Sequence, residues 1–359
     1  MQNKKKILHI ILRSSYDGAS VLPVRVIRHL PEYDHKIVSI FKGALFEETE
    51  EEINYDHLIE SSEIDKYSKT KILSFLIFLL KNKFDIIHYH CGGVSLLFLS
   101  LLFRKNAKII HHIHSGVISG DNNAKDISVF HKLLYKILDK KTIKIACAEH
   151  VYDFYRKNIN SGDEIFLVKN AVEKINELNK KQVYGIGYLG RITKEKGINI
   201  VFDLINNKKK LPSRLNYYLK GDVNLAVAEF DRFRNSYNNY YSEPSLDVDD
   251  FFSKVDILLF PSIASEALPL VVLEAVSHNV AVVLVKDKWS VEIFGESYPF
   301  YINETNKVNS IIEMINKYYQ SRELRDGIIS LYRQINDKYN FQKMIESLIK
   351  IYNENSASK

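Results

Sequence analysis

Four side chains stand out for the chemistry they could do together: Arg191 and Lys196 in "GYLGRITKEKG", and Glu266 and Glu274 in "FPSIASEALPLVVLEA". A guanidinium forks onto phosphate oxygens and a lysine adds a mobile point charge, so the first pair can neutralise a diphosphate without a metal ion. Of the two carboxylates, Glu266 falls on the loop after the apolar run "DILLFPS", and Glu274 on the helical pattern that follows, with Pro269 at the first helical position. Each carboxylate can accept hydrogen bonds from a pair of hydroxyls, one set on a sugar and one on a ribose. Taken singly, the same residues are also what a solvated surface supplies: basic loop positions, a loop charge, and a polar position on an apolar helix.

The glycines of the first stretch raise a competing reading. Gly185, Gly187 and Gly190 in "YGIGYLGRITKEKG" have the spacing of a dinucleotide fingerprint. That fingerprint needs a helix to begin at once, so that pyrophosphate sits on its N-terminus, and an acidic residue about 20 positions later for the ribose. Here the polar "RITKEK" follows Gly190, the helical pattern begins at Gly197, and the region near position 208 is the basic "NNKKKLP". The pattern argues against a nicotinamide-dinucleotide site and leaves Gly185 and Gly187 as strand glycines, where backbones approach closely.

A second group of candidates is "HHIH", with His111, His112 and His114. Alternation along a strand puts His112 and His114 on one face, but two histidines with no acidic ligand nearby make a poor metal site. The expectation is a site without a metal ion.

These residues need elements to hold them, and the pattern supplies strands alternating with helices. "KILHIIL", "HKIVSI", "FDIIHYH", "AKIIHHIH", "IKIACAE" and "EIFLVKNAV" read as strands. "ASVLPVRVIRHL", "KTKILSFLIFLLKN", "GVSLLFLSLLFRK", "VFHKLLYKILDK" and "VYDFYRKN" read as the helices between them. After the polar stretch "EKINELNKKQ" at 173–182, taken as an interdomain linker, a second alternation runs from "VYGIGYLG" through "LNYYLKG", "DILLFPS" and "VAVVLV" to a helical last forty residues. Short apolar strands alternating with longer helical patterns mean parallel sheets with crossover helices. In such sheets ligands bind beyond the C-terminal ends of the strands, where helix N-termini point at them.

Composition agrees and excludes several classes. A chain of 359 residues with 46% apolar side chains suits two globular domains. Cys91 and Cys147 lack any partner spacing, which argues against a disulfide framework or a zinc knuckle and fits a reducing cytoplasm. The start "MQNKKKILHIILRSS" reads as a first strand rather than a signal peptide. The apolar runs at 72–80 and 94–103 fall short of the roughly 20 residues that span a bilayer. Burial against a sheet accounts for both runs; their flanking Lys69, Lys71, Lys81, Lys83, Arg104 and Lys105 also suit contact with an anionic membrane surface. The acidic run Glu47 to Glu52 reads as a solvated loop or helix end. A net charge of +6 without a nucleic-acid-binding motif gives no reason to expect nucleic acid as a partner.

"GYLGRITKEKG", "YYLKGD" and above all "FPSIASEALPLVVLEA" resemble the donor half of glycosyltransferase family four, retaining enzymes of the GT-B fold. "FDIIHYH", "AKIIHHIHSG" and "VKNAVE" follow that family's order and spacing, so the resemblance covers nearly the whole chain. It implies an α/β fold of two Rossmann-like doubly wound domains facing a central cleft. The acceptor-side domain would be 1–175 and the donor-binding domain 176–336, with a terminal helix at 337–359 returning to the first.

By position, the resemblance implies that Arg191 and Lys196 hold the donor diphosphate, Glu266 binds hydroxyls of the transferred sugar, and Glu274 binds the ribose. His114 matches a family histidine near the reacting sugar, and Gly18 in "SYDGAS" matches a glycine loop at donor and acceptor, with one glycine where relatives often have two. Ala267 and Leu268 stand where the family often has Gly-Phe, a difference that bears on sugar choice, and "WSVEIFGE", with Glu292, replaces a more glycine-rich loop.

The implied activity is retaining, metal-independent transfer of a sugar from a UDP- or GDP-sugar to a hydroxyl of a saccharide or lipid-linked saccharide. The setting would be polysaccharide or lipopolysaccharide assembly, in the cytoplasm or at the inner face of the cell membrane, and the nucleotide sugar is a substrate rather than a cofactor. Two other readings stay open on the residues: a nucleotide-sugar epimerase of the same architecture, which needs no acceptor, and a nucleotide-sugar-binding protein without turnover.

Overall fold

The computed structural model describes residues 4–43, 45, 54–58, 69–90, 94–103, 106–114, 141–158, 165–173, 182–223, 228–236 and 238–354. The expected helix at 129–140, the acidic run at 47–52 and most of the linker stretch lie outside the described residues. Two compact units emerge. One comprises Met1–Lys169, Ser265–Leu268 and Lys343–Lys359, and the other Asn170–Ala264 and Pro269–Gln342.

In the first unit, β1 (Lys6–Arg13), β2 (Asp34–Phe41), β3 (Tyr55–His57), β4 (Ile86–Tyr89), β5 (Lys108–Ile113), β6 (Ile143–Ala146) and β7 (Ile165–Leu167) form one parallel sheet in the order 3-2-1-4-5-6-7. The order reverses next to β1, the topology of a doubly wound nucleotide-binding sheet. On one face Leu8, Ile10, Val38, Ile40, Ile87, Tyr89 and Ile109 pack with Phe75 and Leu79 of α2 (Lys69–Lys81) and Leu97 of α3 (Val94–Phe103). The same α2 leaves Leu73 and Leu80 exposed at 56% and 59%, together with Ile77, so its apolar character is only partly used by the core. Helix α1 (Gly18–Arg28) opens on Asp17, whose side chain accepts from the Ser20 N–H, and α4 (Glu149–Asn158) follows β6.

The second unit repeats the plan. Strands β8 (Gly185–Leu189), β9 (Asn216–Lys220), β10 (Asn239–Ser242), β11 (Ile257–Phe260), β12 (Ala281–Val285) and β13 (Tyr301–Ile302) form a parallel sheet in the order 10-9-8-11-12-13. Helices α5 (Ile198–Asn206), α6 (Ala228–Arg234), α7 (Asp249–Ser253), α8 (Leu270–Ser277), α9 (Lys288–Phe294), α10 (Lys307–Gln320) and α11 (Arg322–Lys338) connect and cover it. Gly185 and Gly187 sit within β8, where a Cβ would come within 1.8 Å of the Lys254 carbonyl oxygen and 2.7 Å of the Phe251 ring respectively. The glycines are therefore set by packing.

The structure differs from the sequence reading in a few elements. β3, β10 and β13 add to the expected strands; all three are short edge strands that lack a long apolar run. "WSVEIFGE" is mostly helix rather than loop, because Asp287 and Ser290 close a capping box at the start of α9. Pro269 is the residue preceding α8 rather than its first helical position.

The last helix, α12 (Phe341–Asn353), belongs from Lys343 onward to the first unit. Lys5 Nζ donates to Asn353 Oδ1 at 3.0 Å, Lys108 Nζ donates to the Ile351 carbonyl, and Tyr352 meets Tyr33 edge-on.

Candidate functional site

The loop after β8 is built by close backbone contacts within the second unit. Gly190 has φ 141° and its N–H donates to the Lys220 carbonyl at 3.0 Å; the opposing Gly221 has φ 150°, and a Cβ there would lie 1.9 Å from the Gly190 carbonyl oxygen. Both positions require glycine. Arg191 follows, exposed, with its carbonyl accepting from the Tyr188 hydroxyl at 2.6 Å. A single 3₁₀ turn, Lys194–Lys196, ends at Gly197, which takes φ 77° and opens α5. A Cβ at Gly197 would meet the Pro261 carbonyl oxygen at 2.3 Å. The positive end of α5 thus faces the loop that carries Arg191 and the half-buried Lys196, an arrangement suited to anions.

The loop after β11 is tied to this one. The N–H groups of Ile263 and Ala264 donate to the Glu195 carbonyl at 3.0 and 3.2 Å, so the chain leading to Glu266 is pinned to the loop of Arg191 and Lys196. Glu266 is half-buried, while Ala267 and Leu268 are buried. Glu274 lies on α8 in the second unit and is 7% exposed. A carboxylate so far from water needs donors around it. Its own helix end is fixed by His278, whose Nδ1 donates to the Glu274 carbonyl at 2.7 Å and whose Nε2 meets Asp249 at 3.0 Å.

In the first unit Gly18 is the first residue of α1, at the C-terminal end of β1, and His114 directly follows β5. His114 does not stand alone. The parallel registers place His35 of β2, His9 of β1, His88 and His90 at β4, and His112 and His114 at β5 on one face of the sheet. His35 Nε2 donates to the Leu30 carbonyl at 2.9 Å, and contacts of 3.1 Å run from His35 Nδ1 to His9 Nε2, from His9 Nδ1 to His90 Nε2, and from His90 Nδ1 to His114 Nε2. A carbonyl can only accept, so a neutral chain has one consistent set of tautomers: each ring carries its proton on Nε2 and accepts at Nδ1. The Leu30 carbonyl therefore sets the tautomer of His114 through three intervening rings.

Burial holds these rings neutral. Desolvation, aided by neighbouring imidazoles, pushes His9, His88, His90 and His112 well below the usual histidine range. The same cause, with His111 nearby, brings His114 down to about 3, and burial with Lys144 beside it brings His111 down to about 4.

Both loops lie in a segment that known proteins share. Residues 169–334 match the family model of glycosyl transferases group 1. This segment contains both loops, α8 and the whole second sheet. The match spans a little under half of the chain. An uncharacterised glycosyltransferase of Methanocaldococcus jannaschii is 24% identical over 286 residues, covering 75% of each chain. HepE of Anabaena, solved with UDP and glucose, superposes with a TM-score of 0.74 at 13% identity over 97% of this chain and 99% of its own. A variant of TarM from S. aureus, solved with UDP, fondaparinux and alpha-GlcNAc-glycerol, gives 0.75 at 13% identity over 98% and 100%. The fold is the GT-B fold, shared with these two solved structures.

Within the second unit the structure brings together the loops that carry Arg191, Lys196 and the approach to Glu266, with Glu274 on the helix that follows the second of them. Gly18 and His114 belong to the other unit. Sequence reasoning misses Thr193, between the two cations, whose hydroxyl is buried without a hydrogen-bond partner among the described residues. It also misses His9, His35, His88 and His90 as a group. The available signal is the repeated H-x-H at the ends of two strands, "HYH" and "HIH".

Proposed function

We propose that the protein is a retaining glycosyltransferase that moves a sugar from a UDP- or GDP-sugar to a hydroxyl of a saccharide or lipid-linked saccharide. In this reading Arg191 and Lys196 hold the donor diphosphate and stabilise the charge that develops on it as the glycosidic bond breaks, so this step asks for no metal ion. Glu266 and Glu274 accept from hydroxyls of the sugar and ribose, Ala267 and Leu268 shape the sugar pocket, Gly18 lets the backbone approach donor and acceptor, and His114 lies near the reacting sugar. The observation that carries the reading is the pair of hydrogen bonds to the Glu195 carbonyl, which joins the cationic loop to the acidic one. UDP in HepE and in the TarM variant supports a uridine nucleotide, and the saccharides in the latter support an acceptor in surface-polysaccharide or lipopolysaccharide assembly.

A cytoplasmic protein touching the inner face of the membrane fits the exposed Leu73, Ile77 and Leu80 of α2 beside Lys81 and Lys83. No helix among the described residues is long and apolar enough to cross a membrane.

The test is a panel of UDP-, GDP- and ADP-sugars scored for binding and for slow donor hydrolysis. Hydrolysis of one donor with release of its nucleoside diphosphate supports transfer. Formation of a second nucleotide sugar without acceptor supports epimerisation instead, and binding without any release identifies a protein that has lost turnover.

A further inference from the structure

We propose that His90, His112 and His114 form a binding site for a divalent transition-metal ion of the zinc type, built on the histidine face of the first sheet. The proposal does not depend on sugar transfer. The two histidines on β5 make a poor site by themselves, but the fold adds a third. β4 and β5 pair in parallel with His88 opposite Ile110 and Tyr89 opposite His111, so the next step along the ladder sets His90 beside His112. One ring nitrogen from each of His90, His112 and His114 lies within 4.8 Å of the other two. His90 Nδ1 and His114 Nε2 are already 3.1 Å apart, close to the separation of about 3.3 Å for two nitrogens on one tetrahedral zinc ion.

Three further observations point to a ligand here. His112 is 1% exposed, and among the described residues neither of its ring nitrogens has a hydrogen-bond partner; His114 Nδ1 is likewise buried without one. Buried polar atoms left unpaired are costly and uncommon, and coordination would satisfy one of the two nitrogens of His112. The tautomer chain also suits the role. With Nδ1 on the ion, His90 keeps its Nε2–H and donates it to His9, which is held in turn by His35 and the Leu30 carbonyl. Such an outer chain fixes the orientation of a metal-bound imidazole.

The chemistry of the set selects the ion. Three neutral nitrogens favour zinc, cobalt, nickel or copper over magnesium or calcium, which prefer oxygen. Three protein ligands leave a fourth position for water or an anion. The protons balance within the rings: when His114 Nε2 takes the ion, its proton moves to Nδ1, so every ligand stays a neutral imidazole. A second trio, His9, His88 and His90, has similar spacing, but both nitrogens of His9 are engaged in the chain and His88 Nδ1 meets the Tyr352 hydroxyl at 2.8 Å. Binding there would break these contacts.

The experiment is titration of chelator-stripped full-length protein with Co2+, followed by the visible absorption of tetrahedral cobalt, with Zn2+ as competitor. The expected result is one Co2+ per chain, bleached by Zn2+. His112→Gln and His90→Gln should each weaken binding on the order of 100-fold, and His35→Gln, in the outer chain, roughly 10-fold. His278→Gln, in the other unit, should leave it unchanged. Circular dichroism and metal-free thermal unfolding establish that each variant is folded. X-ray absorption of the wild-type zinc form needs no variant and should count three imidazoles. Failure of the wild type to bind stoichiometrically, a count below three, or binding that survives His112→Gln in a folded protein while His88→Gln removes it, overturns the proposal.

Discussion

The two sheets share one topology but keep different polar groups in their interiors. In the second, two phenols buried beside β12 are satisfied by its backbone and by each other. The Tyr332 hydroxyl accepts from the Val282 N–H at 3.0 Å, the Tyr298 hydroxyl donates to the Val282 carbonyl at 3.0 Å, and the two hydroxyls are 2.9 Å apart. They serve β12 at a position beyond its pairing with the two-residue β13. In the first, a row of imidazoles lies buried, and among the described residues neither nitrogen of His112 has a partner. A closed network rigidifies a fold, whereas an open one marks the place where local rules yield to another demand.

Acid should separate the two sheets most strongly. The buried histidines stay neutral in the folded chain, with His111 down to about 4 and His114 to about 3, while the unfolded chain takes up protons below about pH 6.5. The unfolded state then binds more protons, so stability is present in full above about 6.5 and is lost as pH falls toward those values. Each such histidine contributes a slope of up to about 1.4 kcal/mol per pH unit. Hydrogen exchange on chelator-treated protein at pH 7 and pH 5 should show protection falling in β1, β4 and β5 and much less in β11 and β12. Equal loss in both sheets would break the contrast.

The next effect concerns chemistry rather than stability. Arg191→Ala should lower donor turnover by about 100- to 1000-fold, with the thermal midpoint unchanged because the side chain is exposed. Lys196→Ala should also remove most turnover. Wild-type rates in both would remove the diphosphate from this loop.

A smaller change sharpens the phenol side. Tyr332→Phe leaves the Val282 N–H with only the longer contact to Tyr298, at 3.3 Å, and should cost about 1–3 kcal/mol in urea unfolding. A cost near zero would show that the phenols are not what closes the edge of β12. Smallest of all, Leu80→Glu on the exposed face of α2 should shift stability by no more than about 0.5 kcal/mol, yet reduce sedimentation with anionic vesicles at low salt. Unchanged sedimentation, or none in the wild type, would remove the membrane reading.

Much of the molecule is legible in short stretches of sequence. The strands of both sheets announce themselves through apolar runs such as "ILLF" and "AVVLV", because strands buried on both faces cannot alternate. Arg191, Lys196, Glu266 and Glu274 can be singled out because each follows a recognisable strand at short range. β3 and β10 are not legible in this way, since an edge strand such as "NYYS" needs only one neighbour and leaves little apolar signal. The helix at Lys288–Phe294 is signalled by Asp287 and Ser290, a cap written in "DKWS" where the family resemblance points to a glycine-rich loop that this stretch replaces.

By itself the sequence determined the alternation of strands and helices, the cationic loop and the two carboxylates, because these depend on periodicity and on neighbours a few residues away. Only the tertiary structure decided that His9, His35, His88, His90, His112 and His114 share one face, and that one carbonyl at Leu30 sets the tautomer of a ring at position 114. Register between parallel strands is fixed by crossovers tens of residues long, so the pairing that brings these rings together is written nowhere in local sequence.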